Sequence, residues 1–285
     1  MKPLLAHVYE PHRVTYPCYV QPKLNGIRAL YQDGHFQSRD EIPFPTGLLD
    51  HLAKPLKEIF GPDVILDGEL YRHDWPLQRI NAAVTPVRQT PTEDTLMVQY
   101  HVFDVVDFTK SFSERMTITD EGQDTFIPTL LVKTQQEADN CYAYFVKKGY
   151  EGLMYRLGDC PYTAPKQHWA QCGPLWNIPK PRTNFLSDKA NRCWHLLKRK
   201  SWCDAEFRCV GWEYGKPDGK YANMVGALIC ITPEGKQFTV SGGLTDEQRV
   251  KFLTNPPTAK LIKVQYLMFS TEGKPINPTI EAILH

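Results

Sequence analysis

The feature of the sequence that most constrains its fold is a change of pattern near residue 201. Beyond this point the chain contains five short apolar and β-branched runs separated by turn-forming residues, with one helical pattern between the third run and the fourth. The runs cover residues 205–213, 224–232, 237–241, 260–269 and 279–284, and the helical pattern covers residues 245–254. Five strands with a helix in that position are typical of a small closed β-barrel of the OB type. We therefore expect a domain boundary between residues 202 and 203.

The part of the chain before this boundary mixes strand and helix patterns. Strand patterns occur at residues 19–21, 27–32, 35–38, 64–71, 97–106 and 152–156, and helical patterns at residues 46–60, 75–84 and 135–148. The first helical pattern begins with Thr46 as a candidate N-cap and ends before Gly61 and Pro62, a pair that terminates helices. A Pro-rich stretch at residues 161–192 shows no periodicity.

Composition excludes several classes of protein. The 285 residues are 42% hydrophobic and 23% charged, which is enough apolar material for a globular core. No apolar run approaches the roughly 20 residues that a membrane helix needs, and the first residues do not predict a signal peptide. The eight cysteines include no pair at CxxC spacing, which favours reduced thiols over a zinc site or a disulfide scaffold. We therefore expect a cytoplasmic protein that does not enter a membrane.

The charged residues are unevenly distributed along the chain. The formal net charge is only +1, yet residues 179–200 contain seven Lys and Arg against one Asp. Residues 93–125 contain eight Asp and Glu against two basic residues. A basic surface is what a polyanion such as nucleic acid would contact, whereas the simpler interpretation is two solvated surfaces of opposite sign.

The first candidate for chemistry is the segment KLNGIR, from Lys23 to Arg28. Its lysine lies between the end of a predicted strand and a glycine turn, and its arginine lies on the following strand. A lysine amine is a nucleophile only when neutral, and nearby positive charge or burial favours that form. The hexapeptide alone is a weak signal, because surface lysines beside glycine turns are common.

Four further segments make the signal specific. In chain order they are DGEL at residues 67–70, YHVFD at 100–104, EGLMYR at 151–156 and LLKRK at 196–200. Around one pocket they would supply carboxylates for a divalent cation, an aromatic ring to stack on a base, and two lysines on one face of a strand. These groups suit attack of an amine on the α-phosphate of a nucleoside triphosphate, with Mg²⁺ neutralising the developing charge.

In order and spacing, these segments resemble motifs I, III, IIIa, IV and V of the covalent nucleotidyltransferases, and among them the minimal bacterial and phage ATP-dependent DNA ligases. Ser38 and Arg39 resemble motif Ia, and the later DAE, GAL and GGLT segments are similar to the OB domain of those ligases. The resemblance implies an α+β fold. An adenylyltransferase domain, ATP-grasp-like and built of antiparallel sheets with flanking helices, would cover residues 1–202, and an OB-fold β-barrel residues 203–285.

The resemblance also implies how the nucleotide would be held. Lys23 would be the site of covalent adenylylation, and Gln21 would read the edge of adenine. Arg28 and Glu69 would hold the ribose, and Phe103 would stack on the base. On its apolar context alone, Phe103 is equally well explained as an ordinary core residue.

The remaining motif residues would contact metal and phosphate. Glu69 and Glu151 would bind Mg²⁺, Lys198 and Lys200 would contact the α-phosphate, and Arg39 would contact phosphate during later steps. Lys23, Arg28, Lys198 and Lys200 would then form the catalytic set. Two nearby carboxylates have simpler interpretations: Asp67 as the anchor of a turn, and Asp104 as a tie within its strand rather than a metal ligand.

The activity implied by the resemblance is the sealing of nicks in duplex DNA by a monomer that uses ATP and Mg²⁺ in the cytoplasm of a bacterial or phage-infected cell. Its three steps are formation of lysyl-AMP, transfer of AMP to a 5′-phosphate, and attack by the 3′-hydroxyl. NAD⁺ is not expected as the adenylate donor, because similar NAD⁺-dependent ligases place a dedicated domain before the lysine. Roles in replication, repair and recombination all suit such an enzyme.

Three departures from the family pattern keep alternatives open. The stretch at residues 161–192 is longer than the family's usual connection between motifs IV and V, and its basic end and aromatic residues suit either a loop that faces DNA or a cover for the pocket.

The other two departures lie in motifs I and VI. Asn25 replaces the usual aspartate of motif I, and Ile276 and Ala282 stand where motif VI carries arginines that orient pyrophosphate. Either Lys263 or Lys274 would substitute for those arginines, or the formation of lysyl-AMP would be slow. The alternatives are an RNA ligase, an mRNA-capping guanylyltransferase, and a non-catalytic nucleic-acid-binding relative.

Overall fold

The structure is a computed structural model that describes residues 3–85, 88–117, 125–158, 162, 192–270 and 272–284. The chain divides into two units, residues 1–200 and 201–285. This division falls two residues before the boundary expected from the sequence. Most of the Pro-rich stretch at residues 161–192 lies outside the described residues, so its predicted role in contacting DNA or covering the pocket has no structural counterpart here.

The first unit is built from two sheets and a set of helices. Its strands are β1 (Leu5–Val8), β2 (Cys18–Lys23), β3 (Ile27–Gln32), β4 (His35–Ser38), β5 (Ile65–Tyr71), β6 (Gln99–Val105), β7 (Leu130–Val132), β8 (Gly152–Leu157) and β9 (Arg192–Lys200). Its helices are α1 (Asp50–Phe60), α2 (Leu77–Val84), α3 (Glu93–Met97), α4 (Phe112–Met116) and α5 (Gln135–Lys147). One sheet has the strand order β1-β9-β8-β2-β7 and the other the order β4-β3-β5-β6. Neighbouring strands are antiparallel except for the parallel pair β1–β9.

Each sheet of the first unit has its own hydrophobic core. Leu66 of the four-stranded sheet belongs to the same buried cluster as Leu56 of α1 and Ile80 of α2. Leu153 of the five-stranded sheet belongs to a separate cluster with Phe145 of α5. Because full burial of such a side chain contributes about 2 kcal/mol, these clusters fix both sheets as rigid supports for the strand ends.

Several elements of the first unit differ from the expectation. Helix α1 begins at Asp50 and not at Thr46, because residues 46–49 form a turn in which Gly47 has φ = +86°, outside the helical region. The predicted strand at residues 97–106 begins later, at Gln99, because Thr92 caps the short helix α3 just before it. The sequence did not predict β1, β7 or α4, which are three to five residues long and offer too little periodicity.

The second unit is a five-stranded barrel. It contains β10 (Cys203–Tyr214), β11 (Val225–Ile231), β12 (Gln237–Val240), α6 (Asp246–Thr254), β13 (Leu261–Tyr266) and β14 (Thr279–Ile283). The strands have the order β12-β11-β10-β13-β14. A parallel bridge between Gly242 and Thr279 joins the two edges of this sheet, and the Ile280 amide donates to the Gly242 carbonyl at 2.9 Å.

This architecture confirms the α+β fold class and the small closed barrel. The helix of the barrel lies between its third and fourth strands, where the sequence placed it, and Thr245 caps it with the reciprocal contact to Gln248. Among the residues that the structure describes, no helix has the length and apolar character needed to cross a membrane.

Gly152 allows three strand ends to meet. It begins β8, pairs with Lys23 on one side and with Lys200 on the other, and has φ = +151°. A Cβ atom at this position would lie 2.0 Å from the carbonyl oxygen of Arg199. The close approach of β9 to β8 beside Glu151 therefore requires glycine.

We predict that Gly152→Ala lowers the free energy of unfolding by at least about 3 kcal/mol, because backbone strain adds to the clash with Arg199. Gly34→Ala is the matched control: Gly34 also has positive φ, but its Cβ would make only an ordinary contact, at 3.7 Å, with Cδ of the Lys57 side chain. We expect it to cost about 1 kcal/mol. Urea denaturation of the two variants measures the difference, and equal costs would contradict the close packing of β8 and β9.

Candidate functional site

The first unit contains a cavity of about 500 Å³ that gathers most of the motif residues. Its lining includes the predicted site residues Gln21, Lys23, Arg28, Arg39, Glu69, Phe103 and Lys198. These residues come from five strands and the turn after β4, and they are as much as 177 positions apart in the chain, from Gln21 to Lys198. The fold therefore brings the sequence motifs to one place.

Glu151 lies between two lysines at one end of this group. Its carboxylate forms an ion pair with Lys23, and its other oxygen is 2.7 Å from the Nζ of Lys200. The backbone fixes the arrangement, since the Glu151 amide donates to the Lys23 carbonyl at 2.9 Å. Burial raises the pKa of Glu151, but the two ammonium groups outweigh it, and the net pKa lies below the usual value.

Arg28 is held by a buried carboxylate. Its Nε and Nη2 donate to the two oxygens of Asp67 at 3.0 and 2.6 Å, and its Nη1 donates to the Leu4 carbonyl at 2.6 Å. The hydroxyl of Tyr162 donates to Asp67 at 2.7 Å. The interpretation of Asp67 as the anchor of a turn was therefore wrong, because its oxygens bind these two side chains instead.

Glu69 lies opposite Arg28 on the neighbouring strand. Its Oε1 accepts a hydrogen bond from the Gly26 amide at 3.1 Å, so the glycine turn and the carboxylate hold each other in place. Burial raises the pKa of Glu69 to about 7, against the opposing effect of Lys23 and Arg28.

Phe103 contacts both the hydrophobic core and the cavity. Its partly buried ring packs against the core of the four-stranded sheet and also lines the cavity. The guanidinium of Arg28 lies 5.1 Å from the ring centroid. A flat aromatic surface of this kind can stack on a nucleobase, so both interpretations of this residue remain compatible with the geometry.

Asp104 ties two arginines into the wall behind Phe103. It is fully buried and accepts from Arg115 at 2.8 and 3.1 Å and from Arg156 at 2.6 Å. Its role is thus structural, as the simpler interpretation expected. Arg156, at the end of the EGLMYR segment, also lines the cavity, although it was not among the predicted site residues. Its position within that segment was the available signal.

The remaining cationic residues lie at different depths. Lys198 lines the cavity, and Lys200 follows it on the same face of β9, as the two-residue spacing predicted. The intervening Arg199 points the other way, where its guanidinium lies 4.0 Å from the ring centroid of Tyr142. Arg39 lines the cavity and is exposed, and its Nη2 lies 3.5 Å from Asp40 Oδ2.

The second unit contains the two lysines considered as substitutes for the missing arginines. Lys263 pairs with Ala282 across β13 and β14, so its side chain lies next to one of the two positions. Its Nζ is 3.0 Å from Glu281 and 3.5 Å from Asp204. Lys274 has Glu272 at 3.0 Å. Both lysines thus have carboxylate partners within their own unit, and the substitution stays a hypothesis.

Comparison with known proteins identifies two domains. A sequence model described as the ATP dependent DNA ligase domain matches residues 3–172, and a model described as the DNA ligase OB-like domain matches residues 216–283. The DNA ligase of African swine fever virus (isolate Warthog/Namibia/Wart80/1980) is 32% identical over 244 residues, which cover 78% of this chain and 50% of the viral protein. This chain therefore spans about half the length of the curated relatives it matches.

Solved structures agree with this fold. A structure reported in a structure–function study of DNA binding by the minimal scaffold of Lig E DNA ligases has a TM-score of 0.76 at 20% identity and covers 99% of both chains. A Chlorella virus DNA ligase-adenylate has a TM-score of 0.52 at 22% identity and covers 100% of this chain and 98% of the other. At these identities the likeness concerns the fold alone.

We predict that Asp104→Asn lowers the free energy of unfolding by about 3–5 kcal/mol, because it leaves two buried guanidinium groups without their carboxylate. The matched control is Asp94→Asn, which removes an exposed carboxylate that binds Arg79 through two hydrogen bonds. We expect the control to leave the urea midpoint nearly unchanged, since exposed ion pairs are screened by water. A large loss in the control or none at Asp104 would contradict the assignment.

We predict that the contribution of Glu69 to the free energy of unfolding depends on pH. Because its pKa rises from 4.5 in the unfolded chain to about 7 in the fold, the folded state retains a proton that the unfolded state loses between these values. Stability from this group therefore falls as pH rises from 4.5 to 7, by up to about 3 kcal/mol, and is constant above 7. The measurement is the difference in unfolding free energy between the wild type and Glu69→Gln at pH 5 and pH 8. Glu58→Gln on exposed α1 is the control, and a pH-independent difference for Glu69→Gln would contradict the prediction.

Proposed function

The chain belongs to the ATP-dependent DNA ligases, since the ligase-domain model matches more than half of it, and from this premise we propose that it seals nicks in duplex DNA through a covalent lysyl-AMP intermediate. The observation that carries the proposal is the position of Lys23. Its amine lies in the cavity wall at the end of β2, beside Glu151 and within a set of cationic and aromatic residues suited to a nucleoside triphosphate.

The arrangement around Glu151 supports a role for Lys23 as the nucleophile. The amine must lose a proton before it attacks the α-phosphate, and loss of its charge would leave a buried carboxylate unpaired if Lys23 were its sole partner. Lys200 remains bound to the other oxygen of Glu151. The carboxylate is therefore still neutralised after Lys23 becomes neutral and after its nitrogen forms the bond to phosphorus.

The other cavity residues would position the nucleotide. Glu69 would accept a hydrogen bond from the ribose, Phe103 would stack on adenine, and Lys198 would contact the α-phosphate as pyrophosphate leaves. All three guanidinium nitrogens of Arg28 already donate to Asp67 or to the Leu4 carbonyl. Arg28 would therefore contribute mainly to the shape of the cavity beside the ribose. Arg39 would contact phosphate in the later steps.

The carboxylates of this site suit a Mg²⁺ ion that arrives with the triphosphate. The described residues contain no cluster of three or more metal-ligating side chains, whereas Mg²⁺ commonly binds one or two carboxylates together with substrate phosphates. Glu69 and Glu151 are the candidate ligands. When bound, the ion supplies charge that stabilises the phosphates during transfer.

We assign nucleotidyl transfer to residues 1–202 and a DNA-contacting role to the OB-fold barrel at residues 203–285. After Lys23 accepts AMP, the nucleotide passes to the 5′-phosphate at the nick, and the 3′-hydroxyl then attacks that phosphate and displaces AMP. We further propose that the chain works as a monomer in the cytoplasm of a bacterial or phage-infected cell, where ATP and nicked DNA are both present.

A nicked duplex with a labelled 5′-phosphate tests this proposal. We expect the full chain with ATP and Mg²⁺ to join the nick, and an all-RNA nick and GTP serve as parallel substrates. Joining of RNA alone would indicate an RNA ligase, and covalent labelling from GTP but not ATP a guanylyltransferase. Neither labelling nor joining would indicate a non-catalytic relative.

We predict that Lys23→Ala and Lys23→Arg both abolish covalent labelling from α-labelled ATP. Alanine removes the nucleophile, and the guanidinium of arginine does not deprotonate at usable pH. Lys54→Arg, on the exposed face of α1, is the control and should label as the wild type does. Circular dichroism should show both Lys23 variants folded, because Glu151 keeps Lys200 as a partner. Acid-stable label on either Lys23 variant would refute the assignment.

A further inference from the structure

The side-chain amide of Gln21 makes three hydrogen bonds. Gln21 lies on β2 two residues before Lys23 and is 1% exposed. Its Nε2 donates to the Phe103 carbonyl at 3.0 Å and to Thr129 Oγ1 at 2.8 Å. Its Oε1 accepts from Arg156 Nε at 2.8 Å. Both ends of the amide are thus engaged.

These partners fix which end of the amide is nitrogen. The Phe103 carbonyl can only accept and Arg156 Nε can only donate, so rotating the amide by 180° would place like groups against each other. Thr129 adds a third constraint, since its hydroxyl lies 3.3 Å from the Ile127 carbonyl and donates to it, which leaves its oxygen to accept from Gln21. The orientation follows from the partners themselves.

The bonds also determine what the amide can still offer. Both N–H groups of Gln21 are used, and its oxygen keeps one free lone pair. The Phe103 carbonyl accepts a second bond from Arg156 Nη2 at 2.9 Å, which fills its acceptor sites. Gln21, Phe103, Ile127 and Arg156 all line the cavity. Toward a ligand at this wall, the Gln21 amide is therefore an acceptor only.

We propose that Thr129 is a positioning residue that makes the base end of the cavity select purines with a 6-amino group over purines with a 6-oxo group. The inference rests on the proposed nucleotide-binding function. The 6-amino group of a purine can donate a hydrogen bond to the free lone pair of Gln21 Oε1. A 6-oxo group is itself only an acceptor, so its oxygen would face Gln21 Oε1 with no hydrogen to join the two oxygens. Thr129 acts by occupying the amide N–H that could otherwise donate to the 6-oxo group.

Equilibrium binding of ATP and ITP to the full chain tests the inference, with covalent labelling by the two nucleotides measured in parallel. We expect the wild type to bind ATP at least about tenfold more tightly than ITP. Thr129→Val releases one N–H of Gln21, so the ratio should fall at least about threefold, mainly because ITP binds better. Thr129→Ser keeps the hydroxyl and should restore the wild-type ratio.

The possible outcomes separate this inference from the proposed function. An ATP-to-ITP ratio that is unchanged in Thr129→Val, with only a lower thermal midpoint, would show a merely structural contact and overturn the inference. Tighter wild-type binding of ITP, whose ring N1–H is a donor, would overturn it as well. Absence of covalent label with discrimination in binding intact would count against the ligase proposal and leave this inference supported.

Discussion

The site depends on one shared carboxylate, that of Glu151. Three strand ends meet around it because Gly152 lets the backbone of β9 come close to β8, which places Lys23 and Lys200 on either side of the same side chain. A buried carboxylate is costly unless it is paired. The two lysines supply that pairing, and the carboxylate in turn holds two positive charges together at the wall of the cavity.

Buried carboxylates also form ion pairs with the arginines along the rest of the cavity wall. Asp67 forms an ion pair with Arg28, and Asp104 forms ion pairs with both Arg115 and Arg156. The guanidinium groups of neighbouring arginines repel one another unless carboxylates such as these lie between them. The result is a set of donors and charges that is ordered before the ligand binds, which avoids the cost of ordering them during the reaction.

The sequence predicted the local parts of this architecture and missed the long-range ones. The strand ends around Lys23 and the two lysines on one face of β9 follow from patterns a few residues long, and the barrel followed from five such patterns in series. The hydrogen bond from Gln21 to Thr129 joins residues that are 108 positions apart. Such a contact has no local signature, because the residues around a glutamine in the sequence do not indicate which distant group it will bind. The start of α1 was misplaced for the opposite reason: Thr46 is a good N-cap locally, but Gly47 takes a positive φ that ends the pattern.

The ion pairs of Lys263 in the barrel bear on whether this lysine can substitute for a motif VI arginine. Lys263 lies beside Ala282 and binds Glu281 and Asp204, so its charge is compensated in the absence of a ligand. These pairs are exposed, and exposed pairs are weak because water and salt screen them. A polyphosphate carries more negative charge than either carboxylate, so it would compete with them for the same ammonium group. The pairing therefore holds the lysine in a defined place on β13 without preventing it from binding an anion.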